Sequence, residues 1–503
     1  MTAVPASRLW ADAASPGAIP DTVAAVDLSG KSISLTAADI KDFRAGLAGQ
    51  LFLRTDAGYE QARKVWNGAF DRHPALVVRC HGTVDVIRAV DFARTHGLLT
   101  AVHAGGHSIS GASSCDGGIM IDLSPMKGIR VDPVARVAEA QGGVLLGELD
   151  RETTAFGLAT PLGTAPDTGI AGLTLGGGMG RLNRMFGLAC DNLVGVDIVT
   201  ANGKLLHASS KENADLFWGI RGGGGNFGVV TSFEYRLHAV GPLVLDGTRF
   251  YPYNQARAVF AALKELAESA PDELGLSAGF SRVQAGFGQN PAGLPPGRYV
   301  GMNAFHYGDP RQGLRLLEPL KKLGTPLLDA ISAKTYLAAQ RGDVGTGPVL
   351  LTPGLPAGMN AYDKTGYLRS IPAGLTDEIV KRLDTAPPWV LGLDLSQMGG
   401  AVARVKPDAT AYWNRDGNFI VTLFALWLDP AHNEQNIRTA RELWDGIEPF
   451  TKGYYVNLDT HNSDQRLRAN YGENYPRLVA LKDKYDPMNL FRLNANIRPS
   501  AHA

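Results

Sequence analysis

Cysteine is scarce in this chain: there are three among 503 residues, Cys80, Cys115 and Cys190. None sits at CxxC or metal-ligand spacing, which argues against both a disulfide framework and a zinc site, so no metal is expected. An excess of one charge is missing too. Lysine plus arginine and aspartate plus glutamate number 49 each. Nothing electrostatic therefore draws the chain to nucleic acid or to an anionic membrane. No apolar run is long enough to span a bilayer. The opening stretch MTAVPASRLWADAASPGAIP lacks the charged and apolar regions of a secretory signal. The expectation is a cytoplasmic protein, or a periplasmic or secreted one if a leader was trimmed. Repeats and low-complexity tracts are also absent. What remains is a globular composition too long for one ordinary core, so two or three domains are expected.

What the chain does have is glycine in clusters. In Ala101-Val-His-Ala-Gly-Gly-His-Ser-Ile-Ser-Gly111, two glycines directly precede His107. Paired glycines permit positive φ and a close approach of backbone to something bulky. Two further clusters run Gly163 to Gly180 and Phe217 to Gly228. The first of these is no dinucleotide fingerprint, because no strand runs directly into it and no ribose-binding acid can be placed after it. Extended loops whose N–H groups wrap a diphosphate, with no Rossmann helix, suit it better.

Around these clusters a coarse order of elements is legible. Residues up to about 70 read as an irregular lead with a few helical turns, including Ala37 to Phe43. A βαβ-like unit follows. It has a strand at Ala75 to Cys80, then a helix capped by Thr83 with Val86, Val90 and Ala93 on one face, ending at Gly97. A second strand, Leu98 to Val102, runs into the His107 loop. Gly118 to Leu123 and Val137 to Ala140 read as strands. Val196 to Ala201 and Lys204 to His207 flank Asn202-Gly203, a type I′ hairpin signal. From about 245 the texture becomes that of a second α+β domain, with a helix at Ala256 to Leu266 and strands at Gly297 to Met302 and Phe419 to Trp427.

In this order, the His-Ala-Gly-Gly-His-Ser loop, Gly118-Ile-Met-Ile-Asp-Leu-Ser, Gly-Leu-Thr-Leu-Gly-Gly-Gly and Asp215-Leu-Phe-Trp-Gly-Ile-Arg-Gly-Gly-Gly-Gly-Asn-Phe-Gly resemble the FAD-binding domain of the berberine bridge enzyme family. Tyr455-Val-Asn457, Tyr471-Gly-Glu-Asn-Tyr475, Lys484-Tyr-Asp-Pro487 and Asn489 to Ile497 resemble that family's C-terminal segment. The resemblance implies an α+β protein with a PCMH (vanillyl-alcohol-oxidase) type FAD-binding domain and a substrate domain built on an antiparallel sheet. The expected units are a lead at 1–69, an FAD-binding domain at 70–245, a substrate domain at 246–450, and a segment at 451–503 that completes the FAD domain. The cofactor implied is FAD. Its expected binding residues are His103, Ala104, Gly105, Gly106, His107, Ser108 and Gly111, then Pro161, Gly163, Thr164, Thr168, Gly169, Gly172, Gly177 and Gly178, and finally Asn494 and Asn496.

Family resemblance also gives His107 a role. The histidine of this loop is bonded to the flavin 8α-methyl carbon, chemistry open to a neutral imidazole nitrogen, and the link should make the flavin a better electron acceptor. Many relatives add a second link through a cysteine, but that position is Ala165 here, so single attachment is expected. Thr168 falls where relatives gate oxygen, and its size favours access of O₂. The tyrosine that follows the tail asparagine in plant relatives is replaced by Leu458, so that base is missing. Catalytic candidates are Tyr455, Asn457, Thr168, Asn414 and Thr422, with Phe424 on the same strand face as Thr422, and the base is unassigned. The expected activity is an oxidase taking hydride from a C–OH or C–N centre of a small molecule, with O₂ as acceptor and H₂O₂ as product. Alternatives are a flavin-N5-oxide monooxygenase and an oxygen-insensitive dehydrogenase or flavin-binding protein. The chain is expected as a monomer or homodimer.

Overall fold

The computed structural model describes residues 18–283, 293–341, 358–387, 390–460 and 463–502. A four-stranded sheet comes first, in the spatial order Gln50–Leu53, Leu76–Arg79, Ile119–Asp122, Thr100–His103. Strands 76–79 and 100–103 are both parallel to 119–122, which lies between them. The expected βαβ pair is thus parallel but not adjacent. The inserted strand, Ile119-Met-Ile-Asp122, is buried on both faces, the pattern of a central parallel strand. Helix Thr83–Thr95 buries Val86, Ala89, Val90 and Ala93, as its periodicity indicates. Thr83 does not cap it, however; Gly82 occupies the cap position and Thr83 is the first helical residue.

The lead is less irregular than its sequence suggests. Thr22–Val26 and Ser32–Thr36 form a hairpin, and Gln50–Leu53 pairs with Leu76–Arg79. Helix Ala37–Ala45 opens on a capping box, with Thr36 Oγ1 accepting from Asp39 N at 3.2 Å and Thr36 N donating to Asp39 Oδ2 at 3.0 Å. Short, half-exposed strands leave too little apolar alternation to be seen in sequence.

A second, five-stranded antiparallel sheet has the order Leu205–Ser209, Leu193–Thr200, Gly228–Arg236, Val137–Gln141, Ile129–Asp132. Its first hairpin is not type I′. Gly203 has φ +77 but Asn202 is not in the left-handed region, and Thr200 N bonds Lys204 O across a three-residue loop. The C-terminal helices share this sheet's core, where Leu478, Leu481, Tyr485 and Ile497 pack with Phe217, Trp218 and Phe233. Lys482, fully buried, fastens them by donating to Asp486 Oδ2 (2.7 Å), Asn226 O (2.8 Å) and Phe491 O (3.0 Å).

Residues from Val244 to Trp427 supply an eight-stranded antiparallel sheet. Its long strands are β1 (Val244–Pro252), β2 (Leu274–Val283), β3 (Gly297–His306), β4 (Asn360–Leu368), β5 (Val390–Gln397) and β6 (Phe419–Trp427), in the spatial order β1-β3-β2-β5-β6-β4. One face is a hydrophobic core. Leu276, Ala278, Met302, Ala304, Leu393, Leu395, Val421 and Leu423 pack there against helices Ala256–Ser269 and Leu375–Thr385. Alternate residues face the other way. These are Ser277, Asn303, Asp394, Ser396, Thr422 and Asp363, polar side chains on strands with little exposure on either face.

Candidate active site

Two surfaces meet across a cavity of about 690 Å³. The first is made of loops. Gly105 and Gly169 touch backbone to backbone, so a methyl added to Gly105 would sit 2.3 Å from the nitrogen of Gly169. Gly106 turns at φ +70, a conformation a side chain resists, and a methyl there would meet the His103 ring at 2.6 Å. The N–H groups of Gly105 through Ser108 meet no acceptor among the described residues.

His107 projects from this wall in a fixed setting. Its Nδ1 lies 3.3 Å from Thr168 Oγ1, its Nε2 lies 3.5 Å from Asp167 Oδ2, and its ring stacks on Trp66 at 5.3 Å and 24°. The imidazole beside Asp167 holds that carboxyl below the usual carboxylate range. Gly163, Thr164, Gly172, Gly224, Gly225, Gly228 and Asn494 continue the lining, so all three glycine clusters border one space. The side-chain oxygens of Asn494 and Asn496 are buried without a partner among the described residues.

The opposite surface is the polar face of the eight-stranded sheet. Register brings Asp394 opposite Thr422, Asp363 opposite Phe424, and Ser277 opposite both Ser396 and Asn303. Between the walls stands Tyr455, whose hydroxyl oxygen accepts from Asn457 Nδ2 (2.8 Å), Gly178 N (3.1 Å) and Met179 N (3.3 Å). Burial pushes its phenol up to about 12.

A wall of unpartnered backbone N–H groups at 105–108, where a Cβ on Gly105 or Gly106 would collide, with the orphaned amide oxygen of Asn494 beside it, fits a dinucleotide with a diphosphate. Comparison with known proteins agrees. The FAD binding domain family matches residues 74–209, and the family described as berberine and berberine like matches residues 454–498. An FAD-linked oxidoreductase of Dictyostelium discoideum is 31% identical over 466 residues, covering 92% of this chain and 97% of that protein. The chain belongs to the berberine-bridge-like FAD-linked oxidoreductases. (R)-6-hydroxynicotine oxidase of Paenarthrobacter nicotinovorans is 31% identical, with 90% of this chain and 97% of that enzyme covered. The crystal structure of 6-hydroxy-D-nicotine oxidase of Arthrobacter nicotinovorans superposes with a TM-score of 0.78 at 29% identity, covering 90% of this chain and 98% of that one.

As a berberine-bridge-like oxidase, the chain places most of the residues singled out from sequence on the cavity. Ala104, Gly105, Gly106, His107, Ser108, Gly163, Thr164, Thr168, Gly169, Gly172, Thr422, Tyr455, Asn457 and Asn494 line it, as do Ala165 and Phe424. Others support the wall from behind. His103 lies under Gly106, Gly111 packs on the Phe70 ring, and Gly177 and Gly178 pack on Tyr412 and Ala189. Pro161 and Asn496 do not reach the cavity. Asn414 is the clear correction to the catalytic candidates. It is buried away from the cavity and donates to Asn470 O (3.2 Å) and Oδ1 (3.0 Å). Cys190 is buried and does not line the cavity either.

Asp363, Asp394, Ser277, Ser396, Asn303, Trp66 and Asp167 line the cavity and carry no mark in the sequence that singles them out. The one local signal for the sheet residues is the alternation Leu391-Gly-Leu-Asp-Leu-Ser396, which sets small or polar residues between leucines. Among the described residues no helix is long and apolar enough to cross a membrane.

Proposed function

We propose that this oxidoreductase carries FAD bonded once, through His107, and oxidises a C–OH or C–N centre of a small molecule with O₂ as acceptor and H₂O₂ as product. The observation that carries the reading is the setting of His107, held by Thr168, Asp167 and Trp66 at the edge of a glycine wall that faces a polar sheet across one cavity. The residues that would hold the cofactor are the loops 104–108, 163–172 and 224–228, with Asn494. Bound there, the flavin supplies a two-electron acceptor that O₂ can reoxidise.

The chain's own groups do the rest. Asp167 beside Nε2 and Thr168 beside Nδ1 orient the His107 ring, and one of these two contacts would give way when a ring nitrogen bonds the flavin. Trp66 excludes water from one face of the imidazole. Tyr455 already accepts three N–H groups, so it pins Asn457 and the 178–179 backbone rather than taking a proton from substrate. Ala165 offers no nucleophile for a second bond, which supports single attachment.

Acid precipitation tests the link. Yellow colour should stay with the wild-type pellet and leave with the supernatant after His107→Ala. Flavin that comes free from wild type in acid overturns the covalent reading. Reduction under argon followed by air should restore the colour within seconds and release peroxide; recovery over hours overturns the oxidase reading.

A further inference from the structure

Several buried acids in this fold are answered by cations, while Asp85 and Asp150, away from the sheet wall, are met by neutral N–H donors. Asp246 has Arg181 at 3.3 Å and Lys334 at 3.5 Å, Asp459 has Lys364 at 2.9 Å, Asp191 has Arg415 at 2.7 Å, and Asp486 has Lys482 at 2.7 Å. Two buried acids on the cavity's sheet wall are not. Asp394 and Asp363 flank strand β6 on either side, opposite Thr422 and Phe424, and neither makes an ion pair among the described residues. Asp394 accepts from Ser396 Oγ and is contacted by Ser277, both neutral. Asp363 has a carboxyl oxygen, Oδ1, that meets no donor among the described residues. The two arginines of the cavity lining are already engaged: Arg181 faces Asp246, and Arg184 donates to the carbonyls of Leu274, Met398, Ala270 and Pro271.

A buried carboxylate without a counter-charge is costly, and the cost is recovered when a partner of opposite sign arrives. Both carboxyls face an open chamber, so the partner can be a ligand; burial and the neighbouring Asp459 push Asp363 well up, which leaves Asp394 as the group that carries the charge. Beyond this polar row the lining turns apolar, with Ile109, Met398, Ile420, Phe424 and Leu458. Gly279 lies under Asp394, and a methyl there would come within 2.9 Å of Asp394 Oδ1, so the glycine leaves room for the carboxyl.

We infer that the substrate is an amine with an apolar body, which brings its positive charge to Asp394. The inference rests on the oxidase reading above and chooses between its C–OH and C–N branches. Asp394 then has a second task. A protonated nitrogen has no lone pair to assist C–H cleavage, so the N–H bond must break first. Asp394 takes that proton as its carboxyl O–H forms.

The test uses the holoprotein and three probes of one shape: benzylamine, benzyl alcohol and benzoate, titrated by calorimetry at pH 8. Benzylamine is then a cation. Asp394, pushed by burial to about 6, is ionised. Benzylamine should bind at least tenfold more tightly than benzyl alcohol, and benzoate more weakly than either. Asp394→Asn, nearly isosteric, should erase the preference for the amine while leaving the flavin content and its spectrum unchanged. Equal or tighter binding of benzyl alcohol or benzoate to wild type overturns the inference, and that arm needs no variant to fold. A preference for benzylamine that survives Asp394→Asn overturns the assignment to that residue. Neither failure touches the oxidase reading, which falls only if the flavin is absent or fails to reoxidise in air.

Discussion

Along the loop wall Gly105 and Gly169 meet backbone to backbone, whereas along the sheet wall Asp394 and Thr422 meet as cross-strand neighbours. The loop wall works by leaving side chains out, so that N–H groups stay bare and a flat cofactor can come close. The sheet wall works by alternation: on β2 to β6, residues such as Ser277, Asn303, Asp363, Asp394 and Thr422 turn away from the apolar core and into the cavity. A cofactor shared by many relatives needs the first kind of surface. A substrate that differs between relatives needs the second, because a side chain on a strand can be exchanged without moving the backbone.

The largest effect that could break this comparison comes from one methyl group. Gly105→Ala places a Cβ 2.3 Å from a backbone nitrogen that cannot move aside, so it should cost roughly 3 kcal/mol or more and empty the protein of flavin. On the sheet wall, Gly279→Ala meets a carboxyl oxygen of Asp394 at 2.9 Å and the Leu393 carbonyl oxygen at 3.0 Å, both farther than the 2.3 Å at Gly105. It should cost less, roughly 1–2 kcal/mol, since the carboxyl can swing and the backbone contact is only a few tenths of an ångström too tight. Thermal melts and flavin content of the two variants check the contrast; equal tolerance at both sites would refute it.

Next in size is the fastening of the tail to the glycine wall. Lys482→Met leaves Asp486 buried without its cation and should cost about 3–5 kcal/mol, read as a lowered urea midpoint together with loss of flavin.

The seam between the walls is sensitive to pH. Gln340 Nε2, from a helix beside the sheet, donates to Asp150 Oδ2 at 3.0 Å and to Gly163 O at 3.1 Å. Burial raises Asp150 to about 7. Its folded form therefore keeps a proton that the unfolded chain gives up above about pH 4. The associated stability is full below pH 4 and is lost as pH rises through 7, on the order of 2–4 kcal/mol in all. Asp150→Asn should flatten that limb and make the variant the more stable chain at pH 8, as measured by unfolding across pH. An unchanged slope would mean that Asp150 is ionised in the fold.

The smallest effect concerns Thr168, whose hydroxyl touches the His107 ring. Thr168→Leu should slow reoxidation of the reduced protein about tenfold, corresponding to roughly 1.4 kcal/mol of barrier. Thr168→Val keeps the volume and should stay within about twofold of wild type. Stopped-flow mixing with air-saturated buffer separates the two, and a slow valine variant would shift the role from size to the hydrogen bond.

Much of the loop wall is legible in the amino-acid sequence, because glycine acts locally. Gly105-Gly106-His107 announces a backbone that must turn sharply and come close to something, whatever lies far away along the chain. Helix Thr83–Thr95 is legible for a similar reason, since Val86, Val90 and Ala93 mark its buried face by spacing alone. The hairpin at Asn202-Gly203 departs from the expected turn because its loop takes one more residue than the dipeptide implies. Asn414 falls outside the cavity because a neighbour in sequence to the cavity-lining strands need not face the same space.

Sequence alone therefore determined where the backbone lies bare and close, which histidine stands beside it, and that no cysteine occupies position 165. Tertiary structure alone decided which acids look into the cavity. Asp394 and Asp363 carry no local mark, and each becomes part of the wall only when β5 and β4 pair with β6 in one register. A slip of one residue would turn both carboxyls into the hydrophobic core. That register is set by the packing of Leu393, Leu395, Val421 and Leu423 on the far side of the sheet. The physical reason for the division is range: φ and the lack of a Cβ are properties of one residue, while the direction a strand faces belongs to the whole sheet.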